Sequence, residues 1–225
     1  MGGRVLIYPV RPGEKNEPLR YSLRSVASHL PDATVILAGH RPRWVTGVDH
    51  IPVTQRRPGR ENVARILAAV CAHPDVPPEW VLMNDDFYAM APDPPVPLVY
   101  RGPLFDLSAV WRQGWYATAL ARTHEVLDGR GVSDPLAYDR VHCPMPVTTA
   151  VMREALDGAG AGPVLHRSLY GNTIGGGVLG EDCKVRTPRE VLPEQGWVSF
   201  NDWSWSQRPG RTVRRMFPRK CRYER

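Results

Sequence analysis

Three short apolar runs, separated by stretches of helical spacing, set the strongest constraint on how this chain folds. Arg4-Val5-Leu6-Ile7-Tyr8, Thr34-Val35-Ile36-Leu37-Ala38 and Trp80-Val81-Leu82-Met83 have the length and branched residues of buried strands. Between the first two, Leu19, Leu23, Val26 and Leu30 recur at helical spacing until Pro31-Asp32 stops them. Between the second and third, Val63, Ile66, Leu67 and Val70 line one face of a helix expected from Glu61 to Cys71, after a shorter candidate strand from Val48 to Val53. A β-α-β-α-β opening of this kind implies an α/β fold, Rossmann-like, with a mostly parallel sheet and helices on both faces. Ligands bind such sheets beyond the carboxyl ends of the strands. That rule sets Pro9-Val10-Arg11, Gly39-His40-Arg41 and Asn84-Asp85-Asp86 along one rim.

The second half is less regular. Four prolines between Pro92 and Pro97 make a stiff linker. A strand is expected at Leu98 to Tyr100, and a helix from Trp111 to Leu127 that Gly129 and Gly131 stop. A shorter helix is expected from Thr148 to Leu156, followed by a Gly-Ala loop at Gly158 to Gly162. Ile174 to Gly180 reads as a glycine-rich turn and Trp197-Val198-Ser199-Phe200 as a late strand. Gly175-Gly176-Gly177 matches neither a P-loop nor a dinucleotide fingerprint.

At 225 residues and 42% hydrophobic, the chain suits one domain with a sizeable core. No apolar run approaches a membrane span. The opening segment runs into Pro9 after too few apolar residues for a signal peptide, so the expectation is a cytoplasmic protein. Cys71, Cys143, Cys183 and Cys221 form no C-x-x-C pair, which argues for reduced, mostly buried thiols. The net charge of +6 is concentrated at one end. Residues 208–225 hold eight basic residues against one acid, a balance of +7 that leaves −1 for residues 1–207. The division expected is a catalytic domain over 1–207 and a basic tail over 208–225. The tail makes a polyanion such as DNA a candidate partner, the alternative being a merely solubilising terminus.

Asp85 and Asp86 follow a buried strand directly. Adjacent carboxylates there repel and drive one towards protonation, unless a divalent cation intervenes. Mn²⁺ or Mg²⁺ prefers carboxylate oxygens and can bridge the two phosphates of a nucleotide-sugar. The alternative is one acid capping the next segment and the other facing water. His142, in Asp139-Arg140-Val141-His142-Cys143-Pro144, is a candidate metal ligand or acid–base group. His40 and His166 carry the same alternatives. Arg11, Arg20, Arg24 and Arg167 can clamp phosphate oxygens. Trp197 reads as core. Trp203 and Trp205, beside Arg211, Arg214 and Arg215, read as an acceptor surface able to stack on bases or sugars.

Several of these blocks resemble, in order, those of the Stealth-type sugar-phosphate transferases. Asn16-Glu17-Pro18-Leu19-Arg20-Tyr21-Ser22-Leu23-Arg24-Ser25 is similar to their "NNELRYSLRSL" block, and Val35-Ile36-Leu37 with Arg41-Pro42-Arg43-Trp44 to the following strand and turn. Asn84-Asp85-Asp86-Phe87-Tyr88 resembles "NDDFF", His142-Cys143-Pro144 their later His-x-Pro, and Arg167 to Asn172 is a weaker echo. The chain also resembles small phage-encoded glycosyltransferases. The resemblance implies a GT-A-like fold and a UDP-sugar or related donor. It implies a divalent metal and diphosphate held at Asp85 and Asp86, Arg20 and Arg24 near the donor, and His142 in the active site. Together with the rim and clamp residues, the candidate donor contacts are Pro9, Val10, Arg11, Arg20, Arg24, His40, Asn62, Asn84 and Arg167, and the candidate metal ligands Asp85, Asp86 and His142. Asp85, Asp86, His142 and Asp202 are the catalytic candidates. The family's "VVYTWVDG" opening is replaced here by Val5-Leu6-Ile7-Tyr8-Pro9-Val10-Arg11-Pro12-Gly13. The missing Trp-Val-Asp element favours glycosyl transfer to a hydroxyl, with modified DNA a candidate acceptor, over transfer of a sugar-1-phosphate. A third reading is a nucleic-acid-binding or virion protein whose transferase site has decayed.

Overall fold

The computed structural model describes residues 3–55, 62–106, 108, 112–160, 162–187, 192 and 196–225. The elements run β1 (Val5–Val10), α1 (Glu17–His29), β2 (Thr34–Gly39), β3 (Asp49–Pro52), α2 (Asn62–Ala72), β4 (Glu79–Leu82), β5 (Phe87–Ala89) and β6 (Val99–Tyr100). After a 3₁₀ turn at Leu104–Asp106 come α3 (Gly114–Gly129), β7 (Met145–Thr148), α4 (Thr149–Leu156), α5 (His166–Ile174), β8 (Val178–Leu179), β9 (Lys184–Val185), β10 (Trp197–Phe200), α6 (Asp202–Ser206) and α7 (Arg208–Met216). The central sheet has the order β3-β2-β1-β4-β7. Its first four strands are parallel, and β7 closes the edge antiparallel to β4.

The period of two along β1 sorts its side chains between two cores. Leu6, Tyr8 and Val10 pack with Leu19, Leu23 and Val26 of α1, while Ile7 packs with Ile66, Leu67 and Val70 of α2. Val35 and Leu37 of β2 join the first core, and Ile36 and Ala38 the second. Both faces are thus covered, as a parallel sheet requires. α1 starts where Asn16 accepts a 3.2 Å hydrogen bond from the Leu19 amide, with Pro18 in the first turn.

The chain leaves the central sheet at Leu82 and enters a second one at Phe87. That sheet has the order β5-β10-β9, β10 lying antiparallel to β5 and parallel to β9. β6 and β8 form a separate two-stranded ribbon. The expected strand at Leu98 begins at Val99. The expected helix from Trp111 begins at Gly114 among the described residues; Trp111 and Glu61 lie outside them.

Residues 208–225 are not a free arm. Val213 and Phe217 pack with Tyr88, Val198 and Phe200 behind the second sheet. Tyr223 is buried and donates to the Ala33 carbonyl at 3.2 Å. The Glu224 side chain is fully buried and takes Arg24 Nε and Arg20 Nη1 at 2.6 Å each. The sequence separation of these partners, 200 residues for Arg24, is why the charge pattern alone suggested an arm. No helix among the described residues is long and apolar enough to cross a membrane.

Candidate functional site

A cleft of about 650 Å³ opens beyond the carboxyl ends of β1 and β4, within the size range of small-molecule sites. Pro9 and Arg11 reach it from the end of β1, and Asn84, Asp85 and Asp86 from the turn between β4 and β5. Asn62 stands at the start of α2. His142 sits on the loop before β7, His166 and Arg167 in the first turn of α5, and Lys184 on β9. Tyr88 and Trp205 close the wall towards the second sheet.

The two adjacent acids are held differently. Asp85 Oδ2 accepts from Asn16 Nδ2 at 3.1 Å. Burial and the neighbouring Asp86 push its carboxyl above the usual carboxylate range, against the pull of Arg11. Asp86 Oδ2 accepts from Ser199 Oγ at 2.7 Å and has Lys184 Nζ at 3.5 Å. Two further groups carry unused hydrogen-bonding capacity. Arg167 is only 7% exposed. Its Nη1 donates to the Cys143 carbonyl at 2.8 Å, but the buried Nη2 has no partner among the described residues. Loss of hydration lowers its pKa, and no carboxylate among the described residues ion-pairs with it. The Tyr88 hydroxyl is likewise buried without a partner among the described residues, and burial followed by the charges of Asp86 and Asp85 raises its pKa well above that of a free phenol. Such orphaned groups are costly unless a ligand or water meets them.

His142 belongs to a dyad. Its Nδ1 lies 3.2 Å from Asp182 Oδ2, and its backbone amide donates to Asp182 Oδ1 at 2.9 Å. Burial opposes the Asp182 charge, but the hydrogen bonds from His142 and Arg186 outweigh it and hold the carboxyl well below the usual range. With Nδ1 engaged, Nε2 is the ring nitrogen left for chemistry. Asp182 and Lys184 were not foreseen. They lie 40 residues or more beyond His142 and are brought in only by the pairing of Ser199 and Phe200 with Lys184 and Val185.

The metal triad expected from Asp85, Asp86 and His142 is not assembled. No group of three or more His, Cys, Asp or Glu among the described residues can hold a metal ion, and His142 is turned to Asp182. The acid pair nevertheless fits Mg²⁺ or Mn²⁺, since Mg²⁺ is commonly bound through one or two carboxylates plus substrate phosphates. A cation there would also offset the burial, and with it the Asp86 repulsion, that raise the Asp85 carboxyl.

Of the other candidates, Asp202 lines the cleft at the start of α6. Val10 is buried and turns its carbonyl to Gln55 Nε2 at 2.7 Å. His40 lies outside the cleft with Nε2 3.3 Å from Glu14. Arg20 and Arg24 are also outside it; both ion-pair with Glu224, and Arg24 further donates to the Phe217 and Pro218 carbonyls at 3.1 Å. Their role is to fasten residues 217–224 to α1. Trp205 is a packed wall instead of an open platform: it stacks on Tyr88 at 5.2 Å, with the Arg214 guanidinium 4.6 Å from its ring. Trp203 is 55% exposed, and Arg211 and Arg215 are exposed.

The thiols also depart from expectation. Cys143 and Cys183 meet at 2.9 Å beside the His142–Asp182 dyad, and Cys183 Sγ donates to the His142 carbonyl at 2.7 Å. Only Cys71 is fully buried.

No family model and no curated protein matches the chain.

Proposed function

We propose that the chain is a glycosyltransferase of GT-A-like architecture, which moves a sugar from a nucleoside-diphosphate sugar onto an acceptor hydroxyl with Mn²⁺ or Mg²⁺ bound at Asp85 and Asp86. One observation carries this reading. An acidic pair at the end of a central parallel strand shares a cleft with a buried arginine, Arg167, whose Nη2 has no partner among the described residues. That pairing of a cation site with an uncommitted anion site suits a metal-bound diphosphate.

In this reading Arg167 and Lys184 hold phosphate oxygens, and the Tyr88 hydroxyl donates to the donor. Asn16 and Ser199 keep the two carboxylates oriented. The metal supplies charge neutralisation for the leaving diphosphate. His142, oriented by Asp182, takes the acceptor hydroxyl proton on Nε2. The new bond joins the acceptor oxygen to the sugar's anomeric carbon. The bond from that carbon to the diphosphate oxygen breaks, and the diphosphate leaves with the electron pair.

The test is release of nucleotide from a panel of nucleotide-sugars in the presence of Mn²⁺ and mixed hydroxyl acceptors, identified by mass spectrometry. Nucleoside diphosphate is expected, and it is lost in Asp85→Asn and Asp86→Asn. Nucleoside monophosphate instead assigns sugar-1-phosphate transfer. No metal-dependent release from any donor overturns both and leaves the reading of a decayed site.

A further inference from the structure

The helix α7 is amphipathic in an unusual sense. Pro209, Gly210 and Val213 are buried, and Phe217 just beyond continues that face. Arg208, Arg211 and Arg215 stand at i, i+3 and i+7 and are exposed, so they form one stripe on the opposite face. Arg219, Lys220, Arg222 and Arg225 extend the exposed charge beyond the helix. Among the described residues none of these seven cations pairs with an Asp or Glu, although Arg222 Nη2 donates to the Ala33 carbonyl and the Tyr223 hydroxyl; the one acid in the segment, Glu224, is turned inward to Arg20 and Arg24. Helix stability does not explain the stripe. Arg208 and Arg211 lie near the N-terminal end of α7, where the helix dipole disfavours cations. Nor is this a loose solubilising tail, because Val213, Phe217, Tyr223 and Glu224 anchor it to the body.

The surface is continuous with the cleft. α6 leads directly into α7; its Asp202 and Trp205 line the cleft, while Trp203 is 55% exposed. An open indole on the short helix that leads into the arginine stripe suits a ligand that carries both phosphates and flat bases.

We infer that α6 and α7 form a binding surface for single-stranded nucleic acid, whose phosphates lie along Arg208, Arg211 and Arg215 and one of whose bases stacks on Trp203. That this strand is also the acceptor, delivering a hydroxyl to His142, rests on the transferase reading; its binding does not.

The test is fluorescence anisotropy of the whole protein with a labelled single-stranded DNA of about 16 nucleotides. With about four phosphate contacts, log affinity falls against log salt with a slope of about −3, a loss of about 50-fold between about 50 and 200 mM. Combined Arg208→Ser, Arg211→Ser and Arg215→Ser flattens the slope to about −1. Trp203→Ala weakens binding by about tenfold, at the lower end of what one base–aromatic stack contributes, with little change in slope. All four residues are exposed, so circular dichroism and melting stay as in the wild type. Three results overturn the inference: no binding at the lower salt, an unaltered slope in the triple variant, or affinity indifferent to Trp203. Capture by vesicles of anionic phospholipid with none by the oligonucleotide also overturns it, and assigns the stripe to a membrane surface. A positive result with no nucleotide-sugar turnover leaves the binding inference standing and sinks the transferase reading alone.

Discussion

Glu224→Gln tests how the C-terminal segment is held. The wild-type carboxylate, wholly buried, meets Arg24 Nε and Arg20 Nη1 at 2.6 Å and Arg24 Nη2 at 3.1 Å. Gln keeps the shape and removes the charge. Removing one partner of a buried pair costs about 3–5 kcal/mol, because the other charge stays buried and uncompensated. Arg24 retains the Phe217 and Pro218 carbonyls, and Arg20 is 27% exposed, so the low end, about 3 kcal/mol, is expected. For a chain of this size that lowers the melting temperature by about 6–12 °C. The assay is urea unfolding at neutral and at acid pH. Burial works against the Glu224 charge, but Arg24 and Arg20 outweigh it and hold the carboxyl below its usual range. A carboxyl lower in the folded than in the unfolded chain favours folding above its unfolded value, about 4.3. That contribution is lost as pH falls through the folded value. Gln does not titrate, so the wild-type advantage is complete at neutral pH and shrinks in acid. A variant within about 1 kcal/mol of wild type at neutral pH, or a difference that fails to shrink in acid, refutes the reasoning.

Tyr88→Phe removes a buried hydroxyl without a partner; urea unfolding is expected to show unchanged stability or a gain of up to about 1 kcal/mol, while calorimetry shows weaker nucleotide binding. A clear loss of stability means the hydroxyl is already satisfied. Arg167→Met keeps an unbranched side chain and removes the uncommitted donor, so affinity for a nucleoside diphosphate with Mn²⁺ falls by about 10- to 100-fold, the range of a charge-assisted hydrogen bond; equal affinity by calorimetry removes Arg167 from the site. Loss of hydration holds His166 down to about 4, against about 6.5 in an unfolded chain. The unfolded chain therefore takes up the proton first, and stability is lost as pH falls between those values. His166→Gln flattens that limb in plots of urea midpoint against pH, and an unaltered limb rules the assignment out.

The four parallel strands of the central sheet were legible because each is announced locally; its antiparallel edge strand β7 was not expected. β1, β2 and β4 are apolar runs bounded by breakers, and α1 and α2 show their faces at helical spacing. Asp85 and Asp86 were legible for the same reason, being the first polar residues but one after a buried run. What escaped was decided at a distance. β5, β8 and β9 are two or three residues long and exist only through their partners. Asp182 and Lys184 reach the cleft through that pairing. Arg24 lies on the mostly buried side of α1, which a phosphate clamp does not explain and a partner at residue 224 does.

Asn84, Asp85 and Asp86 do more than line a cleft: they are the covalent joint between two sheets. β4 ends in the five-stranded sheet at Leu82, and β5 opens the three-stranded one at Phe87. Asp85 is tied to Asn16 at the head of α1, and Asp86 to Ser199 on β10. A ligand gripping both acids would therefore touch the segment that joins the two sheets. Binding there would stabilise the folded joint, so amide hydrogens at Phe87–Ala89 and Trp197–Phe200 are expected to exchange more slowly as the site fills.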